Sequence, residues 1–159
     1  MPVIIDGHNL LHSIQQTGED SELISRIQLC RILSGYLKLI DENGEIVFDG
    51  MGPKDKSGFD NISNLEVFFA GLGSDADTVI EDKIKANTAP RRLTVVSSDR
   101  RLRDAARARK STAVKSQVFW SNLCKQLSRK RTIKEPASKR QGISESETEQ
   151  WLKFFGLEQ

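Results

Sequence analysis

The sequence is poor in cysteine, with Cys30 and Cys124 alone among 159 residues. They lie far apart in helical, largely apolar patterns, and neither belongs to a Cys-x-x-Cys pair. That spacing gives no support to a zinc site or a disulfide framework, and the pair is expected to be reduced thiols in or near a core. Long hydrophobic runs are missing too. No stretch approaches the ~20 apolar residues that a bilayer span needs. The N-terminal Met-Pro-Val-Ile-Ile-Asp turns acidic too soon for a signal peptide, so a cytoplasmic protein with no membrane contact is expected. Aromatic residues are only 6% of the chain, which limits base stacking and points to modest sequence selectivity on any nucleic acid.

A large excess of one charge is also absent, since the formal net charge is +2. The balance hides an uneven distribution. Arg91, Arg92, Arg100, Arg101, Arg103, Arg107, Arg109 and Lys110 stand against only Asp99 and Asp104 in their segment. A second basic run spans residues 129–140, whereas residues 41–82 are predominantly acidic. An acidic centre beside a basic flank suits metal-dependent chemistry on a polyanion.

The length is enough for one domain with a real core. Short apolar runs predict strands over 3–5, 45–48, 65–70 and 93–96, with a short fifth at 113–114. Helical spacing begins at about residue 9 and returns over 21–40, where Ser21 is placed to cap. It returns again from 74, 99 and 117, with Val118, Phe119, Leu123, Cys124 and Leu127 inward in the last helix. Residues 51–62 read as a polar loop. Strands alternating with helices predict a mostly parallel α/β sheet covered on both faces. This organisation predicts a main domain over 1–130 and a basic linker over 131–143. A C-terminal amphipathic helix is expected over 144–159, carrying Trp151, Leu152, Phe154 and Phe155. So short a helix does not fold alone, and it is expected to dock on the main domain or to contact a protein partner or a second copy.

The chemistry-bearing signals are carboxylates at element ends. Asp6, Asp49 and Asp99 each closely follow an apolar strand pattern, in Ile4-Ile5-Asp6-Gly7-His8-Asn9-Leu10, Phe48-Asp49-Gly50 and Val95-Val96-Ser97-Ser98-Asp99. Asp77 opens a helical pattern in Gly73-Ser74-Asp75-Ala76-Asp77-Thr78-Val79-Ile80-Glu81. In an open α/β sheet the carboxyl ends of the strands face one crevice, so these distant acids are expected to meet there. Acids gathered in one crevice repel each other unless a cation neutralises them, which points to a divalent-metal site. Local structural readings compete. Ser74 and Asp77 have capping-box spacing, Ser98 is placed to cap the helix behind it, and Asp49-Gly50 suits a turn. Asp75 and Glu81 are further ligand candidates, Asn9 is placed to hold Asp6 or a water, and His8 beside the turn is a weaker proton carrier. Arg100, Arg101 and Arg103 are expected near the crevice mouth, where they would hold phosphates.

These four segments, in their order and spacing, resemble the NYN domain family, specifically the YacP-like branch of the PIN-like nuclease superfamily. The resemblance covers about residues 1–130, and Trp151-Leu152-Lys153-Phe154-Phe155-Gly156 resembles the end of some members less specifically. It implies a PIN-like three-layer α/β/α sandwich and a metal-dependent ribonuclease, with cleavage within the RNA chain. It maps the catalytic and metal-binding acids onto Asp6, Asp77 and Asp99, with Asn9 and Asp49 supporting and Mg²⁺ or Mn²⁺ as cofactor. It also admits a further acid beyond the strand bearing Asp99, a place Asp104 would fill. Two other classes stay open. One is a non-catalytic RNA-binding or adaptor protein on the same fold. The other is an aspartate-nucleophile phosphatase, which would want an acid where this chain has His8.

Overall fold

Asp6 ends one element and Gly7 begins the next, with no residue between them. The computed structural model describes residues 2–17, 24–60 and 62–134, the last five as backbone. Its strands are β1 (Val3–Asp6), β2 (Gly44–Phe48), β3 (Leu65–Phe69), β4 (Thr94–Val96) and β5 (Thr112–Val114). Its helices are α1 (Gly7–Thr17), α2 (Arg26–Leu39), α3 (Ser57–Asp60), α4 (Ala76–Ala86), α5 (Arg100–Ala108) and α6 (Ser116–Lys134). The strands form one sheet in the order β3-β2-β1-β4-β5, and every neighbouring pair is parallel. The sheet is thus all-parallel, and Ile5 lies between Ile46 and Val96 in the register.

Strands buried on both faces need apolar residues at successive positions, and each face needs its own helical cover. Ile5, Ile46, Phe48, Leu65 and Val96 pack under α1, α2 and α6, against Leu10, Leu29, Leu33, Leu37, Phe119 and Leu123. Ile4, Val47 and Val95 turn to the other face, against Ala76, Ile80 and Ile84 of α4 and Leu102 and Ala106 of α5. This is the expected three-layer sandwich. Burying each of these large aliphatic side chains contributes about 1.5–3 kcal/mol.

Several local expectations change. The cap of α2 is Ser25, which accepts the Gln28 N–H while the Gln28 side chain accepts the Ser25 N–H. Ser21 lies outside the described residues. The loop over 51–62 carries the single turn α3, pinned by buried Phe59. Val118 is 50% exposed rather than inward, because the apolar stripe of α6 runs through Phe119, Leu123 and Leu127. Helix α6 continues to Lys134, four residues past the expected domain end at 130. The rest of the expected linker and the C-terminal helix lie outside the described residues. Cys30 is buried and Cys124 half-buried, and both thiols are free. Burial pushes the Cys30 thiol up to about 12, so it carries no thiolate at neutral pH.

Candidate active site

The chain runs outward through β1, β2 and β3, then crosses back to lay β4 on the other side of β1. The strand order reverses between β1 and β4, and ligands of open α/β sheets bind beyond the carboxyl ends of strands at such a switch. Asp6 closes β1 there, and Ser97, Ser98 and Asp99 follow β4. Asp49 follows β2, and Asp77 lies in the first turn of α4, which packs on β1 and β2.

Asp6 is 5% exposed. One carboxylate oxygen accepts the Asn9 N–H (3.3 Å) and the other accepts the Ser97 hydroxyl (3.2 Å). Its pKa is nevertheless raised to about 6. Burial is the main cause and the charges of Asp77 and Asp49 add to it, against the two hydrogen bonds. The Asp77 carboxyl is also raised, first by burial and then by the charges of Asp99 and Asp75, with Arg101 opposing. Secondary charge effects thus link Asp6 with Asp49 and Asp77, and Asp77 with Asp75 and Asp99.

Several of these carboxylates also have structural work. Asp99, not Ser98, caps α5 by accepting the Arg101 N–H (2.8 Å). Ser98 is diverted because its hydroxyl accepts the Ser116 N–H (3.1 Å). Asp75 caps α4 by accepting the Thr78 N–H (2.7 Å), and the Thr78 side chain together with that N–H holds its carboxyl below the usual range. The Ser74–Asp77 box does not form, so the Asp77 carboxylate is released from capping. Asp49 accepts the Ala76 N–H (2.8 Å) and ties the start of α4 to the end of β2. Asn9 faces the frame: its side-chain oxygen accepts the Ser98 N–H (2.9 Å) and the Ser116 hydroxyl (2.6 Å).

Two hydroxyls complete the arrangement, and sequence reading gave neither a role. Ser97, fully buried, donates to Asp6 while accepting the Asp99 N–H (3.0 Å), so one hydroxyl sets the spacing of two acids. Ser116, also fully buried, anchors the start of α6 on Asn9. The signal for Ser116 was a serine between a short strand pattern and an apolar helix. Ser97 offered only its position beside Asp99.

The flanking charges are less free than their number suggests. Arg101 donates to Glu81 and, at 3.4 Å, to Thr78, while its charge reaches Asp75 and Asp77. Glu81 is thereby engaged as an ion-pair partner. Arg100 and Arg107 each lie 3.8 Å from Asp104, which is exposed on α5. Arg103 is half-buried, and its Nε has no hydrogen-bond partner among the described residues. His8 is exposed.

Among the described residues, no three His, Cys, Asp or Glu side chains converge as a ready metal cage. The donor chemistry nonetheless fits a hard cation, being carboxylate oxygens whose protonation is favoured first by burial and then by neighbouring negative charge. The site is an open crevice. A cavity of about 500 Å³ lies at the opposite end of the sheet, lined by Pro2, Asn43, Asn64 and Asn87 among others, and holds none of these acids. No helix among the described residues is long and apolar enough to cross a membrane.

The fold is similar to the crystal structure of Rae1 (YacP) from Bacillus subtilis. The TM-score is 0.69 at 20% identity, over 98% of this chain and 92% of that one. A mutant form of the same protein matches with a TM-score of 0.61 at 18% identity, over 87% of this chain and 88% of that one. No curated protein sequence matches. The family model for the YacP-like NYN domain matches residues 3–155. The acids at the strand ends, the all-parallel sandwich and this match over nearly the whole length agree, and the chain belongs to the YacP-like NYN domain family.

Proposed function

We propose that the protein is a divalent-metal-dependent ribonuclease that hydrolyses phosphodiester bonds within single-stranded RNA. The observation that carries this reading is the state of Asp6. It is a buried carboxylate pushed up to about 6, beside Asp77 and Asp49, at the switch point of a parallel sheet. Uncompensated negative charge of that kind favours a cation. Asp6, Asp77 and Asp99 would hold Mg²⁺ or Mn²⁺. The chemistry such an ion supplies is a more acidic water and neutralisation of charge gained by the phosphate oxygens.

The chain's own residues prepare the crevice. Ser97 holds Asp6 and Asp99 in register, Asn9 fixes the loop behind them, and Asp49 and Asp75 seat the α4 turn that carries Asp77. Arg101, which donates to Glu81 and Thr78, lies at the crevice edge and would meet a phosphate only through its remaining donor. No side chain is needed as a covalent nucleophile. Residues 1–134, through the end of α6, form the nuclease unit in this reading. The setting is the cytoplasm.

The test is cleavage of single-stranded RNA with Mn²⁺ or Mg²⁺ by wild type and Asp6→Asn, together with thermal melts with and without the ion. Ion-dependent cleavage and an ion-induced rise in the melting midpoint, both lost in Asp6→Asn, are expected. Equal behaviour of the two proteins would overturn the reading. The absence of a ready cage among the described residues favours one second reading, an RNA-binding protein without catalysis. In that case RNA binds in the absence of divalent ions and is never cut.

A further inference from the structure

The crevice has two flanks, and their cations are held differently. On the α4/α5 flank Arg101 is engaged by Glu81, and Arg100 and Arg107 by Asp104. On the β2/β3 flank two cations sit on aromatic rings instead. The guanidinium carbon of Arg26 is 5.9 Å from the centre of the Phe48 ring and 5.8 Å from that of Phe69. The ammonium of Lys56 is 5.4 Å from the centre of the same Phe69 ring. A ring face attracts a cation without cancelling its charge, so the charge remains available to an anion.

The rings are fixed. Phe48 and Phe69 stack at 5.8 Å, and Phe59 meets Phe69 edge-on at 5.3 Å. Gly52, at φ +72°, lies so close to Phe69 that a Cβ there would come within 2.6 Å of the ring. Phe48 also abuts Gly7, where a Cβ would fall 2.5 Å from the ring. One side chain therefore connects Arg26 with the turn that presents Asp6. Both cations are exposed, and among the described residues neither pairs with a carboxylate. Arg26 is also the first residue of α2, where the positive end of the helix dipole disfavours a cation. The Ser25–Gln28 box already satisfies that end, so helix stability does not account for the choice of arginine.

We infer that Arg26 and Lys56 bind a backbone phosphate of the RNA strand on the β2/β3 side of the cleavage site, across the acids from α5. This rests on the ribonuclease reading and gives the substrate a direction across the crevice. The two cations, presented by one aromatic cluster, act as a unit on one stretch of backbone. The contact is to phosphate, so it carries affinity and register rather than base identity.

The test is fluorescence anisotropy of a fluorescein-labelled twelve-nucleotide oligouridylate, titrated with the full chain in EDTA across a series of KCl concentrations. For a single strand, each neutralised phosphate contributes about 0.7 to the slope of log affinity against log salt. The double variant Arg26→Ala/Lys56→Ala is expected to lose about 0.7 of that slope and to bind about 5-fold more weakly at 0.1 M salt. Arg26→Lys, which keeps the charge, is expected to retain the wild-type slope. Both sites are exposed, so both variants should melt with wild type. A double variant with the wild-type slope overturns this inference and leaves the ribonuclease reading standing. A wild type that binds no RNA here also overturns this inference, and ion-dependent cleavage decides the ribonuclease reading separately.

Discussion

The two ends of the sheet are built on opposite terms. At the carboxyl end, acids crowd an open crevice and are held by hydroxyls, backbone N–H groups and helix starts. At the amino end, a cavity of about 500 Å³ is lined by Asn43, Asn64, Asn87 and apolar strand starts. That cavity holds none of the crevice acids. In a parallel sheet with crossing helices, the N-termini of α1, α4 and α5 all lie at the carboxyl end, and their positive ends favour anionic side chains. That field lets carboxylates gather in the crevice. A free cavity is therefore a poor guide to the site in this fold.

The largest expected effect breaks the comparison at its acidic end. Asp6→Asn should lower RNA cleavage by about 10²–10³-fold, a loss of the size seen when one preorganised electrostatic group is removed. Activity that survives would detach the chemistry from the carboxyl end. The measurement is initial rate at saturating Mn²⁺.

Stability against pH sharpens it next. Folding raises Asp6 from 3.8 to about 6, so the folded state binds this proton more tightly than the unfolded chain. The stability it contributes is full below about pH 4 and falls as pH rises to about 6, a loss of about 3 kcal/mol at ~1.4 kcal/mol per unit. Asp77, also raised, acts with the same sign. Denaturant midpoints in metal-free buffer should thus show Asp6→Asn gaining on wild type across that window. A constant difference between the two would contradict the burial argument.

Ser97→Ala comes third. It removes the one hydroxyl bonded to both Asp6 and Asp99, and should cost about 1–3 kcal/mol, the penalty for leaving buried polar partners unmade. Cleavage should fall with stability retained well above unfolding, as a kcat loss rather than a KM change.

The smallest effect tests the amino end. Asn64 sits at φ +65° and donates to the Glu42 carbonyl (2.9 Å) beside the cavity. Asn64→Ala should cost about 1 kcal/mol through the lost bond and the left-handed backbone, with cleavage unchanged. A cleavage defect at native stability would show that the two ends are coupled.

Much of the sandwich was legible because buried parallel strands must be apolar at consecutive positions, and 3–5, 46–48 and 95–96 are. The acids after those runs were legible for the same reason, since a strand end in this fold has only one crevice to face. Asp75 and Asp77 were harder. Both suit a first helical turn, and local spacing favoured a cap at Ser74 with Asp77, whereas the backbone gave the cap to Asp75. Ser97 and Ser116 were beyond reach, since their hydroxyls find Asp6 and Asn9 across 91 and 107 residues of sequence. Arg26 was hidden as well, because a cation on a ring face has no sequence period.

By itself, the sequence determined the element types, the two-faced burial of the strands and the positions of Asp6, Asp49 and Asp99 at their ends. Those follow from apolar patterning, which acts locally and at every residue. Only the tertiary structure decided which acids cap helices and which face the crevice, which arginines are engaged by carboxylates, and which cations remain on aromatic rings. These outcomes depend on partners distant in sequence, and a hydrogen bond or ion pair forms with whichever group packing brings within reach.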